Sequence, residues 1–109
     1  MNEPRLIRKY ANRRLYDTVR SRYVNLADVR NLIAEGVRVK VVEQATSRDI
    51  TNSILLQIIG GMERDDGALL TTVFLTDLIR AAGGGSDPGL PERLQTALRN
   101  ALPPPALHQ

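Results

Sequence analysis

At 109 residues the chain is long enough for one compact domain with a helical extension, and its 42% hydrophobic and 25% charged content excludes global disorder. With no cysteine and a single histidine, His108, it has no raw material for disulfides, thiolate chemistry or a histidine-rich metal site. The net charge of +3 is unevenly spread: residues 1–22 hold seven basic and two acidic residues, whereas residues 23–109 carry a net charge of −2.

The first element in chain order is a hairpin. Leu6-Ile7-Arg8-Lys9-Tyr10 and Arg14-Leu15-Tyr16-Asp17-Thr18 are short strand-like runs separated by Ala11-Asn12-Arg13, where Asn12 is the residue expected to accept left-handed geometry. A three-residue loop places Tyr10 opposite Arg14 and Arg8 opposite Tyr16. One face then carries Leu6, Arg8, Tyr10, Arg14, Tyr16 and Thr18, and the other Ile7, Lys9, Leu15, Asp17 and Val19. Tyr10 and Tyr16 suit either a core or a contact surface, and Asp17 suits an ion pair with a neighbouring arginine.

Asn25 is the expected N-cap of a helix ending at Gly36, with Leu26, Val29, Leu32 and Ile33 on its buried face. Val37 to Val42 alternates apolar and basic residues, as a half-buried strand does, and Ala45 to Asp49 is a polar turn. Thr51 is the expected cap of a second helix over 51–62, whose residues Ile54, Leu55, Leu56, Ile58 and Ile59 cover more than one stripe. The excess predicts a second contact surface, with Ile54, Leu55, Ile58 and Ile59 at an interface between copies. Phe74 and Leu78, on a third helix capped by Thr71 or Thr72, are expected to join them.

Gly60-Gly61 and Arg64-Asp65-Asp66-Gly67 break the helical pattern. The predicted organisation is a hairpin-bearing domain at 1–62, a helical accessory or oligomerisation segment at 63–83 and a linker at 84–90. An amphipathic helix at 91–102 and a disordered tail at 103–109 complete it. The fold class is α+β, a small β-β-α-β-α domain followed by one or two helices. The N-terminal residues show no apolar run behind a basic start, and Ile54 to Ile59 is far short of the roughly 18 residues of a membrane span. A soluble, cytoplasmic protein is expected.

No catalytic, metal or cofactor site is expected. Asp65-Asp66 lies in a Gly-flanked turn, and Gly83-Gly84-Gly85 follows a helix and lacks the lysine of a phosphate loop. What remains is the basic hairpin. Arg8, Lys9, Arg13 and Arg14 suit phosphates and guanine, Asn12 suits adenine, and Tyr10 and Tyr16 suit stacking or support. A two-stranded ribbon is narrow enough for a major groove, although a helix could instead be the reading element. A basic hairpin also suits an acidic protein surface. The rival reading is therefore a protein-interaction module without specific DNA binding.

The stretch Lys9-Tyr10-Ala11-Asn12-Arg13-Arg14-Leu15-Tyr16-Asp17-Thr18 resembles the signature of the polyhydroxyalkanoate (polyhydroxybutyrate) synthesis regulators, with Ala11 where that family usually has proline. Further resemblance lies in Asp28-Val29-Arg30, in Asp49-Ile50-Thr51 leading into Leu55 to Ile59, and more weakly through Leu78-Ile79-Arg80. The resemblance implies a transcriptional repressor that binds double-stranded DNA, controls phasin genes and its own gene, and is captured by nascent polyester at the granule. It also implies self-association as a homodimer or higher oligomer. Ala81-Ala82 stand where the family often has aromatics, and the chain is shorter than many relatives, so less apolar surface is expected for polymer contact.

Overall fold

The period-two alternation of the N-terminal residues builds β1 (Arg5–Lys9), which turns back into β2 (Leu15–Asp17) through a three-residue loop, 11–13, closed by Tyr10 and Arg14. The computed structural model describes residues 3–65, 70–85 and 87–102, with the backbone alone at 63–65. Lys9 pairs with Leu15, Arg8 with Tyr16 and Ile7 with Asp17, the register expected from a three-residue loop. Register decides faces: Ile7, Leu15 and Asp17 are buried, and Leu6, Arg8, Tyr10 and Tyr16 are half-buried on the other side.

A third strand, β3 (Arg22–Val24), follows a turn in which Ser21 takes φ 54°. It extends the expected β-β-α-β-α order by one element. Three residues are too few to show alternation, so tertiary pairing of Tyr23 with Tyr16 is what reveals the strand. Helix α1 (Leu26–Ala34) begins as expected at Asn25, whose side chain accepts from the Asp28 N–H at 2.7 Å, while the Asp28 carboxylate accepts from the Asn25 N–H at 2.9 Å. Just past its end Gly36 takes φ 94°, a left-handed geometry that glycine adopts without a Cβ penalty.

The chain then returns as β4 (Val39–Glu43), parallel to β1, giving a four-stranded sheet of order β3-β2-β1-β4. Helix α2 (Thr51–Asp65) continues through Gly60-Gly61, although two interior glycines cost about 1 kcal/mol each. Thr51 does not act as the expected cap. Its hydroxyl accepts the Val41 N–H at 2.9 Å, tying the helix to β4, and Asp49 accepts the Thr51 N–H and hydroxyl. Those two bonds, the hydroxyl first, hold the Asp49 carboxyl below its ordinary pKa.

Both α1 and α2 lie against the same face of the sheet. Ile7, Leu15, Val24 and Val41 from the strands meet Val29 and Leu32 of α1 and Ile54 and Ile58 of α2, an all-aliphatic core. Each such buried side chain contributes about 1.5–3 kcal/mol relative to exposure. Ile54 and Ile58, expected between copies, are thus buried in the chain's own core, and Leu55 packs partly against it. Leu56 and Ile59 are the apolar residues of α2 left exposed.

The chain divides into two compact units, the first running to Leu69 and the second starting at Leu70. In the second, α3 (Thr72–Gly83) is capped by Thr71, which accepts the Phe74 N–H at 3.0 Å, and α4 (Leu90–Ala101) begins with Pro91 in its first turn. An ion pair between Arg93 and Asp87 braces the start of α4. Neither helix buries a residue, and Val73, Phe74 and Ile79 of α3 and Leu98 of α4 are exposed. The predicted tail at 103–109, the Asp66-Gly67 part of the predicted turn and Ser86 of the predicted linker lie outside the described residues.

Candidate nucleic-acid interface

The loop joining β1 and β2 sets the site. The Arg13 N–H donates to the Tyr10 carbonyl at 2.8 Å, and the Tyr10 N–H donates to the Arg14 carbonyl at 3.0 Å. These bonds describe a tight turn followed by one left-handed residue, the usual three-residue hairpin loop. The left-handed position falls on Arg13 (φ 68°), not on Asn12 as the sequence reading expected. Asn12 instead accepts the Arg14 N–H on its side-chain oxygen at 3.0 Å, an Asx turn that fixes the loop from within. A left-handed conformation costs a residue with a Cβ roughly 1–2 kcal/mol, yet an arginine occupies it here. The strain projects an exposed guanidinium at the tip of the hairpin.

The expected contact residues fall into three groups. Arg8, Tyr10, Arg14 and Tyr16 belong to the sheet face turned away from α1 and α2, and Asn12 and Arg13 form the tip. Lys9 belongs to the helix side, where it lines a groove of about 630 Å³ with Asn25 and Gln57; Arg13, Arg14 and Tyr23 line it too, so Arg14 and Tyr23 border both faces. On the open face, Arg8 Nη1 donates to Gln44 Oε1 at 3.3 Å, so the residue just past β4 steadies a β1 arginine.

Tyr10 and Tyr16 are not core residues. They pack edge-to-face with a residue the sequence reading missed, Tyr23 of β3: ring centroids are 6.1 Å apart for Tyr10 and Tyr16, 6.3 Å for Tyr10 and Tyr23, and 5.4 Å for Tyr16 and Tyr23. Arg14 sets its guanidinium carbon 3.8 Å from the centre of the Tyr23 ring. All three tyrosines of the chain meet at this one place. The signal available beforehand was their scarcity in a chain whose other core candidates are aliphatic.

Asp17, the one acid in the hairpin, does not dilute this charge, because it points into the core with its side chain fully buried. Burial opposes its ionisation. Arg5 Nε at 3.2 Å and the backbone N–H groups of Arg20 and Val19 outweigh that cost, and the carboxyl lies below its ordinary pKa. Among the described residues, no three His, Cys, Asp or Glu side chains gather as a metal site, and no helix is long and apolar enough to cross a membrane.

A small α+β domain whose hairpin tip exposes arginine suits nucleic-acid binding. Residues 6–66 match the family described as the PHB/PHA accumulation regulator DNA-binding domain, and the chain belongs to that family. It is 51% identical over 84 residues to an uncharacterised protein in the phbA 5′ region of Thiocystis violacea, a match covering 77% of this chain and 61% of that one. An uncharacterised protein of Allochromatium vinosum is 49% identical over 84 residues, covering 77% of this chain and 55% of the relative. The chain thus spans little more than half the length of these relatives. No solved structure matches it.

Proposed function

We propose that the protein is a sequence-specific transcriptional repressor acting on polyhydroxyalkanoate granule genes, phasin genes among them, and on its own gene. Arg13 carries this reading: an arginine kept in a conformation that favours glycine, at the exposed tip of a basic hairpin, spends folding energy on presenting a cation. Arg13 and Arg14 enter the major groove with Asn12, and Arg8 and Lys9 meet phosphates on either side. Tyr10 and Tyr16 support the ribbon. The place of the Thiocystis violacea relative, in a phbA 5′ region, agrees with a role in polyester metabolism.

The acting species is a homodimer or higher oligomer in the cytoplasm, presenting two hairpins to symmetric half-sites. Leu56 and Ile59 of α2, and Phe74 with its neighbours on α3, are the exposed apolar residues that support this arrangement. The apolar residues of α3 and α4 also suit contact with the polyester, whose capture of the protein at the granule would release the DNA.

The test is fluorescence anisotropy with DNA from upstream of the protein's own gene, against scrambled DNA of equal length, across a salt series. Specific binding is expected, with log K falling by about 0.9 per neutralised phosphate for each log unit of salt. Replacing both Arg13 and Arg14 with alanine should leave the fold intact, weaken binding strongly and narrow the preference for upstream over scrambled DNA. A folded double variant with unchanged affinity removes the hairpin from the interface. Equal, weak binding to both DNAs favours a granule-associated interaction module.

A further inference from the structure

We infer that the open face of the sheet is a second nucleic-acid site, one that takes unpaired nucleotides by stacking them against the Tyr10–Tyr16–Tyr23 cluster and the Arg14 guanidinium. The inference goes beyond duplex recognition: it shares Arg8, Arg14, Tyr10 and Tyr16 with the proposed duplex contacts and adds Tyr23.

The first observation is where the aromatics stand. The core of this unit is complete without them, being aliphatic throughout. The three tyrosines of the chain are instead grouped on the open face, Tyr10 and Tyr16 half-buried and Tyr23, 45% exposed, also lining the groove beside α1 and α2. A buried ring gains more than an exposed one, so three rings held at a surface mark a contact surface. Paired bases in a duplex keep their π-faces inside the stack. Unpaired bases offer them freely, and sheets that present aromatics on an open face bind single strands in this way.

The second observation is charge. Arg14 lies over the Tyr23 ring, its guanidinium plane itself a stacking surface, and Arg8, held by Gln44, stands across the cluster on β1. On the hairpin strands the sole acid, Asp17, is turned into the core and bonded to Arg5. Asp49, bridged to Val42 at the far edge of the sheet, is engaged by Thr51. Aromatic rings flanked by Arg14 and Arg8 give the two terms single-strand binding needs: phosphate neutralisation along the backbone and sequence-tolerant stacking.

The chain has no tryptophan, and its three tyrosines are all in this cluster, so its intrinsic fluorescence reports on this face alone. The experiment titrates the full chain with oligothymidylate, oligouridylate and an abasic oligonucleotide of equal length and charge, reading tyrosine emission and anisotropy. Oligothymidylate or oligouridylate should quench the emission to saturation, whichever binds more tightly showing whether the site prefers DNA or RNA. The abasic strand should bind at least about tenfold more weakly and leave the emission unquenched. Tyr23→Leu should lose a similar factor while Tyr23→Phe, which keeps the ring, retains binding, with circular dichroism verifying the fold of each. Should Tyr23→Leu fail to fold, the abasic comparison on the unmodified protein decides alone. Equal affinity for abasic and base-bearing strands, with unquenched tyrosines, overturns the inference. Duplex binding is titrated separately by anisotropy, so loss of either activity leaves the other legible.

Discussion

Arg5 and Asp17 are twelve residues apart in sequence and joined in space: Arg5 Nε lies 3.2 Å from Asp17 Oδ1, closing the start of β1 onto the end of β2. The Asp17 side chain is fully buried and that of Arg5 is 16% exposed, and the same Oδ1 collects the N–H groups of Val19 and Arg20. One carboxylate therefore fixes the β1–β2 pair and the turn into β3. Removing one partner of a buried pair leaves an uncompensated charge, so Asp17→Ala should cost roughly 3 kcal/mol in urea denaturation, and Arg5→Ala a comparable amount.

This pair also sets an acid dependence. Because the folded-state pKa of Asp17 is depressed, its contribution is fully present above the unfolded value near 3.8 and is lost as pH falls through the lower folded value. Stability measured by urea denaturation should therefore decline on acidification below about pH 4. Asp17→Asn should be less stable at neutral pH and show a flatter decline. Parallel curves for the two proteins would remove Asp17 as the source.

Arg13 separates stability from function. Arg13→Gly relieves the left-handed strain at φ 68° and should raise folding stability by about 1 kcal/mol. The same variant should bind upstream DNA more weakly, because the guanidinium is gone. A variant that is more stable and also binds as well as the parent would show the arginine to be a tolerated cost and not a contact.

Ala11 is the second residue of the turn that Tyr10 and Arg13 close, a position where the ring of proline sets φ in advance. Ala11→Pro should stabilise the protein by about 0.4–1 kcal/mol by restricting the unfolded chain, with DNA affinity unchanged or slightly improved. A loss of stability in thermal melts would show that the Ala11 backbone does not accept the ring.

The two faces of α2 should respond differently to substitution. Ile54 is 2% exposed in the core, and Ile54→Ala should cost about 3 kcal/mol. Leu56 is 68% exposed, and Leu56→Ser together with Ile59→Ser should leave the unfolding free energy of the isolated chain within about 0.5 kcal/mol. If α2 pairs copies, that double variant sediments as a smaller species than the parent at equal concentration. An unchanged sedimentation profile would move the interface to α3 around Phe74, or remove it.

Much of the architecture was legible because local chemistry announces it. Asn25 with Asp28 forms a capping box and Gly36 ends α1, since caps depend on residues a few positions apart. The alternation in Leu6 to Thr18, with a three-residue loop, is enough to predict which side chains share a face, because strand geometry leaves only two. Strand β3 was not legible, being three residues whose strand character comes from pairing with β2. Nor was the role of Thr51, whose hydroxyl serves β4 and not its own helix.

The sequence by itself determined the basic hairpin, the family and the absence of thiol chemistry, all properties of residue type and short spacing. Only the tertiary structure decided what each residue faces. The packing of α1 and α2 on one side of the sheet turned Ile54 and Ile58 from interface candidates into core, because a helix buries whichever stripe meets the sheet. The same packing left the opposite face open, and three tyrosines spread from position 10 to position 23 met there. Which residues of distant strands become neighbours depends on strand order and register, and those are settled by the burial of the whole sheet, not by any local pattern.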